Sequence, residues 1–226
     1  MADMTGASHP SPSRSRGRPA LPIDRILGAA VELLDEQGAE ALSMRSLAQR
    51  LGSGTATLYR HFANRSELVS MVIDHILGKV DLDAQAIARL PWQQACTLFA
   101  QNMFDALSRH GNVAVLLIEY TPMGRNALAN RELCLSLFLD NGFPPAVAAH
   151  AYATLARYVL GFAIQLSGSA AANSQHEAQL SAAFHELDSS SYPATVAVAD
   201  DLPVPLAEEF AFGLQLIVAG LEQLRV

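Results

Sequence analysis

Between residues 23 and 68 the apolar positions recur at the three-to-four-residue spacing of helices, in successive bursts of unequal length. Ile26, Leu27, Ala30, Val31, Leu33 and Leu34 make one stripe, with Pro22 suited to the start of a helix and Gly38 to its stop. Ser43 stands as an N-cap before a two-turn helix that carries Leu47, Ala48 and Leu51 and ends at Gly52. After Ser53-Gly54 a third short segment spans 55–62, with Leu58 and Phe62 four apart and facing inward. Asn64-Arg65-Ser66-Glu67-Leu68 opens a fourth, longer helix, for which Ser66 is the expected cap.

Beyond Pro91 the pattern predicts longer helices over 91–109, 112–119, 124–141, 145–166 and 205–224. The stretch from 167 to 205 is rich in Ser, Ala and Asp and contains Pro193, Pro203 and Pro205, so it reads mostly as loop, with a weak helix over 175–187. Ala and Leu dominate the apolar residues and no alternating run of Val, Ile and Thr occurs, so the expected fold class is all-α. Residues 1–22 hold too few apolar groups to bury and are expected to form a disordered basic arm. An N-terminal three-helix helix-turn-helix domain over 23–70 and a larger helical bundle over 71–226 then follow.

Half of the 226 residues are hydrophobic, enough for a sizeable core. The net charge of −7, taken as a total, argues against a polyanion as partner, but it is unevenly distributed. Residues 1–70 hold eight Arg against seven acids, +1, whereas residues 71–226 hold seven Lys or Arg against fifteen acids, −8. Such polarity orients a molecule on a polyanion, body outward. The absence of an uninterrupted apolar run of about 18 residues and of an apolar leader predicts no membrane association and a cytoplasmic location. Cys96 and Cys134 sit within apolar helical patterns and are expected to be reduced core residues. His110, His150, His176 and His185 lack the spacing of metal ligands, so no metal and no cofactor is expected. Neither a Glu-x-x-His pair, nor Gly-x-Ser-x-Gly, nor a Gly-rich phosphate loop is present, which disfavours an enzyme.

Two short helices joined by a Gly-containing turn behind a longer one are the sequence form of a helix-turn-helix, whose second member enters the major groove of double-stranded DNA. With Leu58 and Phe62 turned inward, Thr55, Thr57, Tyr59, Arg60 and His61 remain for phosphate oxygens and base edges. Arg45 is placed to reach a base or phosphate, Arg65 to meet the DNA backbone, and Arg16 and Arg18 of the arm to lie along the minor groove. A helical dimer without DNA contact is the alternative. It predicts binding indifferent to salt, where a DNA reader loses affinity steeply.

The run from Ile26 to Leu68, with Gly38, Leu47-Ala48-x-x-Leu51-Gly52 and Leu58-Tyr59-x-His61-Phe62, resembles the DNA-binding domain of the TetR family. Trp92, Ser108-Arg109-His110, Thr121-Pro122, 158–162 and 210–222 are similar to the tetracycline-repressor-like body of that family. The resemblance implies a homodimeric repressor, paired through the last two long helices, that leaves its operator when a small-molecule effector binds. It also implies that Tyr59 and His61 meet phosphate, that Thr55 and Thr57 stand at the reading end, and that Arg45 reaches a base. The positions that carry drug- and magnesium-binding polar groups in the tetracycline repressor here read Asp81, Phe99, Met103, Leu117, Tyr120 and Leu133. Leu117 replaces the metal-holding imidazole, so neither tetracycline nor magnesium is expected. The candidate effector residues, Phe99, Met103, Leu117, Tyr120, Leu133, Tyr158 and Phe162, suit a hydrophobic or aromatic molecule, with Tyr hydroxyls, Asn102 or Gln165 orienting it.

Overall fold

The computed structural model describes residues 21–166 and 170–225, the backbone alone at 170–174. Among these residues there are helices and turns and no strands. Helix α1 (Ile23–Gln37) follows Pro22 and ends at Gly38, whose φ of 83° lies where a side chain is strained. A single 3₁₀ turn leads to α2 (Met44–Arg50). Its N-terminus is closed reciprocally: the Ser46 backbone N–H donates to Ser43 Oγ at 3.1 Å and the Ser43 N–H to Ser46 Oγ at 3.0 Å. After Gly52, at φ 59°, α3 (Thr55–Leu58) runs on as turns to His61.

Helix α4 (Arg65–Leu77) is capped by Asn64, whose Oδ1 accepts from the Glu67 N–H at 2.9 Å. The expected cap, Ser66, lies inside the first turn. The Glu67 carboxylate answers by accepting the Ala63 N–H, so the chain has a closed cap two residues earlier than expected.

The body contains α5 (Ala84–Ile87), a single turn capped by Asp83 that the pattern does not predict, then α6 (Trp92–Ser108), α7 (Gly111–Leu116), α8 (Arg125–Asp140) and α9 (Pro145–Gln165). The helix expected over 112–119 is shorter than that, because Leu117 to Tyr120 turn toward Pro122. The 167–205 stretch departs most from expectation. Helix α10 (Ala170–His185) occupies its first half, and α11 (Pro193–Ala197) with a 3₁₀ turn lies near its end, before α12 (Leu206–Glu222). Ala-rich composition favours helix without an apolar face. The His185 ring ties the end of α10 back to the Ser181 carbonyl at 2.8 Å and to Asp200 at 3.0 Å.

The buried residues of head and body form one continuous core, from Ile26 to Leu221. Helix α9 packs against α6, α7, α8 and α12, burying Ala148, Ala151, Leu155, Val159 and Ala163. By length and composition it is also apolar enough to cross a membrane, because much of its opposite face is apolar too. Cys96 and Cys134 are buried and unpaired, and burial pushes the Cys96 thiol up to about 12. That agrees with a core role and leaves no reactive thiolate.

Candidate functional site

The head is built so that α3 is rigid from beneath and bare above. Leu58 and Phe62 are buried at 0% and 1% exposure, packed with Ile26, Leu34, Leu47 and Leu68 of the three surrounding helices. The same turn leaves Tyr59 57% exposed, together with Thr55 and Arg60, while Thr57 and His61 are half-buried at its edges. Arg60 reaches back to Thr57 Oγ1 at 3.4 Å. Arg45, second residue of α2, is exposed and has no carboxylate partner among the described residues.

Two arginines of the head are otherwise engaged. Arg50 joins α2 to α1 through Glu36 at 2.5 Å and Glu32 at 3.3 Å, which lowers the Glu36 carboxyl below its usual range and raises the guanidinium. Arg65, expected to face DNA, turns inward. Its Nε donates to the Leu42 carbonyl at 2.8 Å and Nη2 to Ala39 at 3.4 Å, so that it clamps the link between α1 and α2. The Leu42 carbonyl lies outside any helical ladder and needs a donor, while the Ala39 carbonyl also accepts the Leu42 N–H of the 3₁₀ turn at 3.4 Å. Arg16 and Arg18 lie outside the described residues.

A cavity of about 520 Å³ lies among the end of α4, α6, α8 and α9 and the turn after α7. Phe99, Met103 and Leu117 line it as expected. Tyr120, Leu133, Tyr158 and Phe162 do not. The Tyr158 hydroxyl donates to the Phe210 carbonyl at 2.6 Å, and its ring stacks on Phe210 at 5.2 Å. Phe162 meets Phe210 edge-on at 5.4 Å, so both rings serve the α9–α12 contact. Burial raises the Tyr158 phenol, with Glu209 adding to it. Tyr120 and Leu133 pack partly buried against the core elsewhere. Asn102 donates to the Asp81 carbonyl at 2.6 Å and Gln165 to Gly161 at 3.4 Å, neither of them on the cavity wall.

Sequence reasoning missed Leu77, Asn130 and Arg131, which do line it. Asn126 and Asn130 stand four apart on α8, a visible signal of one polar face. Asn126 Nδ2 donates to the Asp74 carbonyl and to its carboxylate, each at 3.1 Å, and Asp74 Oδ1 accepts the Ala127 N–H at 2.9 Å. Asn130 Nδ2 donates to the Leu77 carbonyl at 3.0 Å. Helix α7 holds α1 in the same manner: Asn112 donates to the Leu34 carbonyl at 3.0 Å, and His110 meets Asp35 at 2.8 Å. The cavity wall and the head are thus joined by directional bonds as well as by packing. Among the described residues no cluster of His, Cys, Asp or Glu offers a metal site.

A helix-turn-helix carried on a helical body with an internal cavity is the construction of a one-component transcriptional regulator. The chain belongs to the TetR family: residues 26–72 match bacterial regulatory proteins of the tetR family, and residues 89–225 match the tetracyclin repressor-like C-terminal domain. It is 31% identical over 214 residues to an HTH-type transcriptional regulator of Saccharopolyspora erythraea, covering 92% of this chain and 87% of that one. It is 30% identical over 219 residues to the HTH-type transcriptional repressor DrrR1 of Streptomyces coeruleorubidus, covering 93% and 81%. The crystal structure of ActR from Streptomyces coelicolor in complex with actinorhodin matches with a TM-score of 0.77 at 30% identity, over 90% of this chain and 97% of that one. The protein is therefore a transcriptional regulator and not an enzyme.

Proposed function

We propose that this regulator is a cytoplasmic homodimeric repressor that leaves its operator when a hydrophobic or aromatic molecule enters the α6–α9 cavity. The observation that carries the reading is the course of α4. Its Asn64 cap stands two residues beyond Phe62, at the foot of the reading segment, and its last residue, Leu77, lines the cavity about 20 Å away. A ligand that displaces the end of α4 tilts the helix and with it the head.

In this reading Thr55, Thr57, Tyr59, Arg60 and His61 meet the major groove, Arg45 meets a base or phosphate, and Arg16 and Arg18 enter the minor groove. Arg65 acts on DNA through the α1–α2 link it clamps. Helices α9 and α12 pair with their copies; Phe212 and Leu216 of α12, exposed at 63% and 58%, are the apolar groups that pairing would cover. Two-fold symmetry then sets the two α3 segments about 34 Å apart. Support for ligand-driven release comes from the ActR complex with actinorhodin and from the repressor role of DrrR1.

The test is selection of bound genomic fragments by the purified protein, followed by anisotropy titration of the recovered operator with candidate ligands. Release requires the ligand to prefer the DNA-free form by several kcal/mol. An operator affinity unmoved by a ligand that occupies the cavity refutes the coupling.

A further inference from the structure

The charge on the cavity wall runs against the charge of the body that holds it. Residues 71–226 carry fifteen acids and seven Lys or Arg, yet the wall includes two arginines, Arg131 and Arg157, and no Asp or Glu. Among the described residues neither arginine pairs with a carboxylate. Most of the remaining wall is apolar.

Arg131 is held as a receptor group would be. Its Nε donates to the Tyr152 hydroxyl at 3.1 Å and Nη2 to the Pro122 carbonyl at 3.2 Å, and its guanidinium lies 5.7 Å from the centroid of the Tyr152 ring. Among the described residues Nη1 has only the Met123 thioether, at 3.6 Å, a weak acceptor. The side chain is half-buried and its orientation is set, while part of its donor fork lacks a strong acceptor. A cation against an apolar wall without a counter-ion is unfavourable, and an entering anion relieves it. Arg157, exposed, stands on the solvent side and favours the approach of the same charge.

Resting on the reading of this cavity as the effector site, we propose that the effector is an amphipathic anion: an apolar ring body carrying a carboxylate or a comparably acidic oxygen, with the anionic group on Arg131. The ring body lies against Phe99, Met103 and Leu117, and the acid occupies the Arg131–Tyr152 end.

Calorimetric titration of the full-length protein with anthraquinone-2-carboxylate and with the uncharged anthraquinone-2-carboxamide tests this, at low and high salt. The acid is expected to bind on the order of tenfold tighter than the amide, the scale of one charge-assisted hydrogen-bonded contact, and to lose that advantage as salt rises. R131Q should bring the acid down to the level of the amide, whereas R131K should keep part of the preference; thermal melts confirm that both variants fold. Equal binding of the two probes by the wild-type protein, or a preference that survives in R131Q, overturns the anion assignment and leaves the cavity reading standing. Leu117→Trp, which fills the cavity, should abolish both probes. If it spares both, or if neither probe binds the wild-type protein, the cavity reading fails and the proposal with it.

Discussion

Asn130 on α8 donates its side-chain amide to the carbonyl of Leu77, the last residue of α4, at 3.0 Å, and both residues line the same cavity. A carbonyl at a helix end has no partner within its own ladder, so this bond satisfies the end of α4 and ties it to α8. Asn130→Leu keeps the volume and removes the donor. The variant should lose about 1 kcal/mol of stability, bind the operator, and respond less to ligand. Operator anisotropy with and without ligand checks it; a full wild-type response would show that the link is packing alone.

Tyr59 and His61 can be changed with little cost to folding, because the groups that hold α3 are Leu58 and Phe62. Replacing both by alanine should weaken operator binding by roughly 100-fold, two lost contacts of ordinary strength, with the melting temperature unchanged. Binding equal to wild type in the folded double variant would end the case for α3 as the reading segment.

Arg65→Ala should behave oppositely. It strips donors from the Leu42 and Ala39 carbonyls, at a cost of about 1–3 kcal/mol, and a melting temperature a few degrees lower should accompany any loss of DNA binding. An unchanged melt with weakened DNA binding would mean that the guanidinium leaves this clamp to meet phosphate.

The exposed pair on α12 reports on assembly. Phe212→Glu with Leu216→Glu places like charges on the face proposed to meet its copy, and light scattering should then give the monomer mass. A dimer that persists in the double variant would exclude this face.

His75 on α4 predicts a pH dependence. Burial is the main cause holding its imidazole below the usual 6.5; the Lys79 ammonium adds to the effect and Asp24 opposes it. The unfolded chain therefore takes up this proton at a higher pH than the folded one. Between the two values the unfolded state binds more protons, so stability falls as the pH is lowered through 6.5 toward the folded value. Denaturant melts across that range should show a shallower fall for His75→Gln. Parallel curves for the two proteins would assign the slope to other groups.

Much of the head can be read from local pattern, since each device there is short in sequence. Gly38 and Gly52 adopt the left-handed conformations that their positions after helices imply, and Ser43 caps α2 through a bond only three residues long. The inward pair Leu58 and Phe62 and the outward Tyr59 follow from helical spacing. Where local signals compete, spacing does not decide: Asn64 and Ser66 are both good caps, and Asn64 prevails because Glu67 closes the turn against Ala63.

The amino-acid sequence alone determined the all-helical class, the helix-turn-helix, the family, and the apolar part of the cavity at Phe99, Met103 and Leu117. The tertiary structure alone decided which remaining residues face the cavity and which face a neighbouring helix. Tyr158 and Phe162 have the chemistry of a ligand wall, but Phe210, some fifty residues later, takes them into the α9–α12 contact. Arg65 has the chemistry of a phosphate contact, but two carbonyls more than twenty residues earlier claim its donors. Helical period specifies which side of its own helix a residue occupies. Which partner waits on that side depends on how distant segments pack, and no local pattern encodes it.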